Sequence, residues 1–480
     1  MKRAQRVATA DLSCGLRTWP RSGPSGPNKI KNWIANRRRT TLQSARGRGV
    51  QCQNMIIYNL FPLLAGKVRD WQPHLVRAAG MGCDWVFVNP VHLPGLSGSL
   101  YSIKDYFRLN PMIVDAADPQ AAVAEFKAMT AGARGLGLKL MVDLVVSHCA
   151  FDSDLVKQHP AWFRQENGKV VHPSALEGTK VVVWKDLAQF DHKQGKDPEG
   201  LFQYLLSVVE FLLDLGFEGF RCDAAYQVPE AFWRRLIAET KRKHPGVVFL
   251  AETLGCSPRE TVRTAKAGFE FIFNSSKWWN YSGAWLFEQY NLTRETCKSV
   301  SFPESHDTPR LAEETGGNLA AVKGRYFFSA LFSAGVMIPI GFEFGFRKRL
   351  HVVKTRPQDW EATGVDLTAY IKSLNRTKAD NPVFLEDAPT HVLPTNNPNI
   401  LLLWKGSPSC NQEALVILNK DPNHEQHFYT DNLYQYIQAD GPLTDVSPEY
   451  PLDYLPTPYH YGLRPGQGIV LVTGKGKPSA

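Results

Sequence analysis

Residues 219–225 read GFRCDAA, an apolar run that closes on an arginine and an aspartate two positions apart. Three other segments share this build: VDLVVSH at 142–148, LAET at 250–253 and ESHD at 304–307. Each begins apolar and ends in ionisable side chains, the pattern of a buried parallel strand that presents a side chain at its C-terminal end. Working outward from these four, strand candidates lie near 56–61, 84–91, 138–146, 218–224, 247–252, 269–274, 299–304 and 336–343. Helix candidates fill the gaps at 73–81, 119–136, 201–215, 230–243, 258–267, 318–333 and 367–378. Eight strands alternating with helices predict an α/β chain folded as a (β/α)8 TIM barrel. The interval after the third strand, 149–200, is long, polar and rich in Trp, His and Lys, and is expected to be a functional excursion.

Beyond Pro382 the pattern changes to short apolar runs, ILLLW 400–404, ALVILN 414–419 and GIVLVTG 468–474, separated by Pro, Asn, Asp and Gly. The expected organisation is therefore a basic, disordered N-terminal extension over 1–54, a catalytic barrel over 55–382 and a C-terminal antiparallel β domain over 383–480. The extension holds 12 Lys and Arg against one acid, Asp11, a net of +11. The whole chain has 55 basic and 46 acidic residues, so 43 and 45 remain beyond position 54, a net of −2. A near-neutral body excludes nucleic-acid binding as the chain's main business. The extension lacks the apolar segment of a secretory signal and is expected to arise from a start assigned too far upstream; a transit peptide and a basic tail are the alternatives. The eight cysteines form no CxxC pair, which argues against a zinc site or a disulfide framework and for a cytoplasmic protein. No apolar run is long enough to span a membrane.

The strand ends carry three carboxylates, Asp223, Glu252 and Asp307, with Arg221, His148 and His306 beside them. Strand faces alternate with period two, so Arg221 and Asp223 point to one side and can pair. Glu252 follows the apolar VVFLA and is expected to have a raised pKa, which suits a general acid. Three acids with cationic partners at a barrel mouth suit glycoside chemistry: one attacks the anomeric carbon, one protonates the leaving oxygen, and one steadies the cationic transition state. Taken singly, each segment also fits a structural role, an Arg–Asp pair at a strand end or a packed histidine. Four of them in barrel order favour the catalytic reading.

The combination resembles the α-amylase family of retaining glycosidases and transglycosidases, glycoside hydrolase family 13. Asp143 and His148 match its first motif; Gly219, Arg221 and Asp223 its second; Glu252 its third; His306 and Asp307 its fourth. The stretch 101–106, YSIKDY, resembles the segment that follows the family's second strand. The resemblance covers about residues 55–380 and implies Asp223 as nucleophile, Glu252 as acid/base, Asp307 as transition-state stabiliser and Tyr101 as a sugar-stacking platform. It also implies substrate contacts from Asp143, His148, Arg221, His306 and Tyr226, the last on the acceptor side. Hydrolysis of α-glucosidic bonds in oligo- or polysaccharides is the first expectation, transfer to a glucan acceptor the alternative, and an inactive sugar-binding scaffold the third.

Ser147 stands where the family carries an asparagine that often binds calcium. No cofactor is expected to be required, and a calcium of the usual kind loses one of its ligands. HPAWF at 159–163, AETLG at 251–255 and AKAGFEF at 265–271 are similar to maltosyltransferases that use maltose 1-phosphate. Those relatives lack the fourth-motif histidine that this chain keeps at His306. The expected partner is an α-glucan or malto-oligosaccharide, with no nucleic acid and no membrane, and the oligomeric state stays open. Trp278, Trp279, Tyr281 and Trp285 fit sugar subsites or a hydrophobic flap equally well.

Overall fold

A computed structural model describes residues 54–177, 180–407, 409–437 and 441–474; the expected extension lies outside them except for Asn54. Eight strands build a closed barrel: β1 (Met55–Leu60), β2 (Trp85–Val88), β3 (Lys139–Leu144), β4 (Gly219–Cys222), β5 (Val248–Ala251), β6 (Phe271–Phe273), β7 (Lys298–Ser301) and β8 (Gly335–Pro339). Every neighbouring pair is parallel, and β1 closes against β8. Each of the eight runs read from the sequence forms a strand.

Side chains alternate across the strands. Met55, Ile57, Trp85, Phe87, Met141, Val248, Leu250, Phe271, Phe273 and Met337 fill the barrel interior. Ile56, Tyr58, Val86, Val88, Leu140, Val142, Phe220, Phe249 and Ile272 face the surrounding helices. These helices are α1 (Gln72–Gly80), α2 (Pro119–Gly135), α3 (Pro198–Asp214), α4 (Glu230–Lys243), α5 (Pro258–Ala265), α6 (Trp285–Thr293), α7 (Leu319–Phe332) and α8 (Thr368–Asp380). Their starts are written locally. Asp118, Asp197 and Asn318 cap α2, α3 and α7, and Ser257 with Glu260 forms a capping box on α5. Helix α6 has no counterpart among the expected helices. It is short, and its first turn contains Trp285, Leu286 and Phe287, which mask any polar face.

The excursion between β3 and α3 holds the short helix Leu155–Gln158 and two small antiparallel pairs, Gln165–Glu166 with Lys169–Val170 and Ser174–Glu177 with Lys180–Val183. Its far end returns as Leu187–Gln189, which pairs with His148–Ala150 at the barrel mouth. After α8 come β9 (Thr390–Leu393), β10 (Ile400–Ser407), β11 (Gln412–Asn419), β12 (Gln426–Thr430), β13 (Leu443–Asp445), β14 (Tyr459–Leu463) and β15 (Gly468–Thr473). Five of them form an antiparallel sheet of order β9-β10-β11-β15-β13, and β12 pairs with β14. The sheet packs on the barrel's outer layer, where the buried Lys405 donates to Phe332 O at 2.5 Å and Lys378 to Ala330 O, Ser333 O and Phe384 O at 2.6–2.9 Å.

Candidate active site

The C-terminal ends of the barrel strands bring the candidate residues together, and strand register accounts for the first contact. Arg221 on β4 pairs in register with Asp143 on β3. Its Nη1 donates to Asp143 Oδ1 at 2.6 Å and to Asp223 Oδ1 at 2.7 Å. Asp143 is fully buried and Arg221 nearly so, whereas the Asp223 side chain keeps 16% of its surface open to the mouth. Burial pushes Asp143 up to about 6 against the pull of Arg221. Gly219 starts β4 without a side chain because a Cβ there would lie 2.9 Å from Trp85 and 3.1 Å from Val248 O. That close approach keeps β4, and with it Arg221 and Asp223, seated in the barrel.

Glu252 follows β5, 7% exposed. Both its oxygens accept backbone N–H groups, Oε2 from Ala224 at 3.0 Å and Oε1 from Leu254 at 2.6 Å. Ala224 has left-handed backbone angles, φ 41° and ψ 45°, immediately after Asp223. That turn aims its N–H at Glu252 and ties the two strand ends together. Burial, reinforced by the charge of Asp223, raises Glu252 to about 7, although Arg221 and the Leu254 amide pull the other way.

Asp307 accepts from His306 Nε2 at 3.1 Å. Surrounding protein works to raise it, but His306, Arg221 and Arg349 outweigh that and hold it down at about 2. Its side chain opens 55% to the cleft, so solvent screens part of this pull. Tyr101 OH donates to Asp143 Oδ2 at 2.7 Å, accepts from Asn89 Nδ2 at 3.0 Å, and lies 2.7 Å from His306 Nε2. One arrangement satisfies all of these: His306 carries its proton on Nε2 and shares it between Tyr101 and Asp307. The rings of Tyr101 and His306 stack at 5.9 Å and 7°. Buried His148 is held by Ser147 Oγ on Nδ1 at 2.9 Å and faces Tyr101 O through Nε2 at 3.2 Å; burial lowers its pKa.

Tyr226 stands apart from this network. Burial and nearby Glu252 raise it to about 12, and it lines a cleft of about 920 Å³ together with Gln227, Leu254, Cys256, Arg164 and Arg263. Sequence reasoning missed Asn89, whose Oδ1 accepts from buried Asn59 while its Nδ2 supports Tyr101. A polar residue closing the apolar DWVFVN run was the signal that would have found it. It also missed Arg349, whose Nη2 reaches Asp307 O at 2.5 Å from the loop after β8. Of the aromatic cluster, Trp279 is buried and donates to Gly283 O at 2.6 Å as part of a flap, whereas Trp278 is 45% exposed.

Ser147 Oγ is spent on His148, and among the described residues no three His, Cys, Asp or Glu side chains are grouped to hold a metal. Among the same residues no helix is long and apolar enough to cross a membrane.

A closed eight-stranded barrel with three carboxyls at its C-terminal mouth and an added antiparallel sheet resembles the α-amylase class, glycoside hydrolase family 13. The comparisons agree. The family model for the glucanotransferase domain of glycogen debranching enzyme matches residues 48–169. The α-amylase of Lactobacillus plantarum superposes with a TM-score of 0.69 at 20% identity, over 88% of this chain and all of that one. An Anoxybacillus α-amylase gives 0.71 at 14% identity, over 88% of this chain and 98% of that one. At these identities the likeness is one of fold. Within the class, the chain resembles the α-1,4-glucan:maltose-1-phosphate maltosyltransferases. That of Arcanobacterium haemolyticum is 29% identical over 300 residues, 55% of this chain and 42% of the relative. That of Burkholderia pseudomallei is 23% identical over 374 residues, 75% of this chain and 32% of the relative. The chain thus spans less than half the length of either of these curated relatives.

Proposed function

We propose that this chain is a retaining enzyme of α-glucans that moves a glycosyl unit from one chain to an acceptor hydroxyl. The observation that carries the reading is a pair of strand-end carboxyls in unlike surroundings: Asp223 ion-paired to Arg221, and Glu252 raised to about 7. Asp223 attacks the anomeric carbon as the bond to the leaving oxygen breaks, and the Glu252 proton goes to that oxygen. The product is a β-linked glycosyl ester on Asp223. Glu252, now a carboxylate, takes the proton of an incoming hydroxyl, whose oxygen displaces Asp223 and restores the α configuration. Asp307 and Arg221 steady the charge on the ring and on the nucleophile. Tyr101 and His306, locked together by stacking and a hydrogen bond, offer a rigid wall to the sugar being cleaved, with Asp143 and His148 behind it.

The sequence put hydrolysis ahead of transfer; the names of the relatives and the wide cleft beside Tyr226 and Glu252 move the weight to transfer. Hydrolysis stays as a second reading because of His306, a histidine that the family resemblance implies the maltosyltransferases lack and that here engages both Tyr101 and Asp307. With Ser147 turned to His148, we expect activity without added calcium. Product analysis decides between the readings. The protein is incubated with maltoheptaose, alone and with maltose 1-phosphate or inorganic phosphate. Chains longer than maltoheptaose support transfer, and formation or use of maltose 1-phosphate identifies the donor. Glucose and short maltodextrins alone would establish hydrolysis instead.

A further inference from the structure

The loop after β8 reads FRKRLHVVKTRPQDWE, residues 346–361. It carries five Lys and Arg against two acids, a net of +3, in a body that is net −2 over residues 55–480. Several of these charges are spent within the loop. Glu361 accepts the backbone N–H groups of Arg347 and Lys348, and Asp359 that of Arg356. Arg356 donates to Val353 O and Thr355 O, and neighbouring Arg310 is buried against Glu304. Lys348, Arg349, His351 and Lys354 line one cavity of about 270 Å³ with Leu64 and Arg310, and the carboxylates of Asp359 and Glu361, already engaged by Lys348 and by backbone N–H groups, line it too. Lys348 is 59% exposed and lies 3.8 Å from Asp359. Among the described residues no carboxylate stands within ion-pairing distance of Lys354. His351 Nδ1 accepts the N–H groups of Val353 and Lys354, at 3.1 and 3.3 Å, so Nε2 carries the proton and acts as a donor.

The cavity is lined from the loops after β1, β7 and β8, beside Asp307, whose carbonyl Arg349 holds. The wide cleft is lined from the loops after β3, β4 and β5, including Leu254, whose N–H Glu252 accepts. In the closed barrel these two sectors face each other across the mouth. The leaving group departs on the side of the acid, Glu252, so the β8 side receives the glycosyl part that is retained on Asp223. The geometry points to an anion subsite there, for a phosphate monoester carried by the donor sugar chain. The inference rests on the glycosyl-transfer reading above. Two ammonium groups, a guanidinium and an imidazole N–H supply donors of the kind that a phosphate's three oxygens take up.

The test uses the full chain with Asp223→Asn, which blocks turnover, and the same protein with Lys348→Ala and Lys354→Ala added. Arg349 is left intact because it touches Asp307. Calorimetry measures binding of maltotriose, of each of its 6-phosphate monoesters, and of inorganic phosphate. At least one monoester is expected to bind about tenfold or more tightly than maltotriose at low salt, with the advantage shrinking as salt is raised. The double substitution is expected to erase that advantage while leaving maltotriose binding and the melting temperature unchanged. No preference for any monoester, or a preference that survives the double substitution, overturns the subsite. Lysine-dependent binding of inorganic phosphate without a monoester preference also overturns it, because the cavity then holds a free anion. Failure of maltotriose itself to bind would overturn the glucan reading, and this inference with it.

Discussion

Replacing Glu252 by glutamine should separate stability from activity, because the same burial that suits Glu252 to the proposed acid role makes its ionised form costly. Its pKa rises from 4.5 to about 7 in the folded protein. A raised carboxyl stabilises the fold while protonated; the contribution is whole below about pH 4.5 and is lost as pH rises through about 7. A shift of that size corresponds to about 3 kcal/mol, most of it lost between pH 4.5 and 7. Glutamine does not titrate, so the Glu252→Gln protein escapes this loss. It does turn one amide NH2 toward the N–H of Ala224 or Leu254, which costs about 1 kcal/mol at every pH. The variant should therefore melt slightly below the parent at pH 4.5 and, with a net advantage of about 2 kcal/mol, a few degrees above it at pH 8. Turnover should fall by about 10²–10⁴, as for loss of a general acid. The assay is paired: scanning calorimetry of both proteins at pH 4.5, 6, 7 and 8, and initial rates on maltoheptaose. A melting difference that does not change with pH would refute the raised pKa. Turnover near the parent's would remove Glu252 from the acid/base role.

Asp223→Asn should fold as the parent does, with an unchanged melting temperature within about a degree for so small a change, and lose nearly all turnover, since an amide cannot form the glycosyl ester; retained activity in a pure sample would exclude Asp223 as nucleophile. Arg221→Met leaves Asp143 and Asp223 without their shared cation and should cost about 3–5 kcal/mol by denaturant unfolding, with a large drop in kcat; a loss below about 1 kcal/mol would mean that the bridge is not formed. Gly219→Ala should destabilise by about 1–3 kcal/mol through overpacking against Trp85 and Val248 O, and a neutral result would show that β4 has room to shift. EDTA treatment should leave both activity and melting temperature in place; a fall of more than about 5 °C would mean that a bound calcium is structural despite Ser147.

The barrel was legible because each parallel strand is buried on both faces and so reads as an unbroken apolar run, and all eight such runs are strands. Edges were less clear: the sixth run covers 269–274, whereas the strand spans only Phe271–Phe273. In the C-terminal part, β10, β11 and β15 were visible for the same reason as the barrel strands. QHFYT in β12 and YHYGL in β14 were not, because one face of that pair is exposed and carries His427, Tyr429 and His460 in place of apolar residues. The residues read from the motif strands meet at the barrel mouth, whereas those that reach it from other segments were not read from the sequence. Asn89 acts through Tyr101 rather than by itself, and Arg349 lies in a loop whose fold no periodicity records. The sequence foresaw a raised Glu252 from its apolar approach, but not that Ala224, strained into a left-handed turn, would supply one of its two amide donors.

Strand register explains why so few residues suffice to build the site. Pairing β4 with β3 sets Arg221 opposite Asp143, and the two-residue period of β4 then sets Asp223 on the same side. Pairing β5 with β4 sets Ala251 beside Cys222, so Asp223 and Glu252 leave their strands at the same level. A one-residue slip of β4 would turn Arg221 and Asp223 outward among the helices and bring Phe220 into the mouth. The arrangement of these side chains is therefore set by the hydrogen-bonded strands of the barrel. The wide cleft is lined instead from the loops after β3, β4 and β5, the side from which, on the proposed reading, the second nucleophile arrives. On the glycosyl-transfer reading proposed above, the choice between water and a sugar hydroxyl as acceptor lies there, because transfer requires those loops to keep water from Glu252 until an acceptor is bound. Substitutions in that cleft, at Tyr226 or Gln227, should shift the ratio of hydrolysis to transfer while leaving the rate of glycosyl-enzyme formation close to the parent's. Chromatographic product ratios and burst-phase rates on an aryl maltoside would measure the two separately, and parallel losses in both would place the decision in the strands instead.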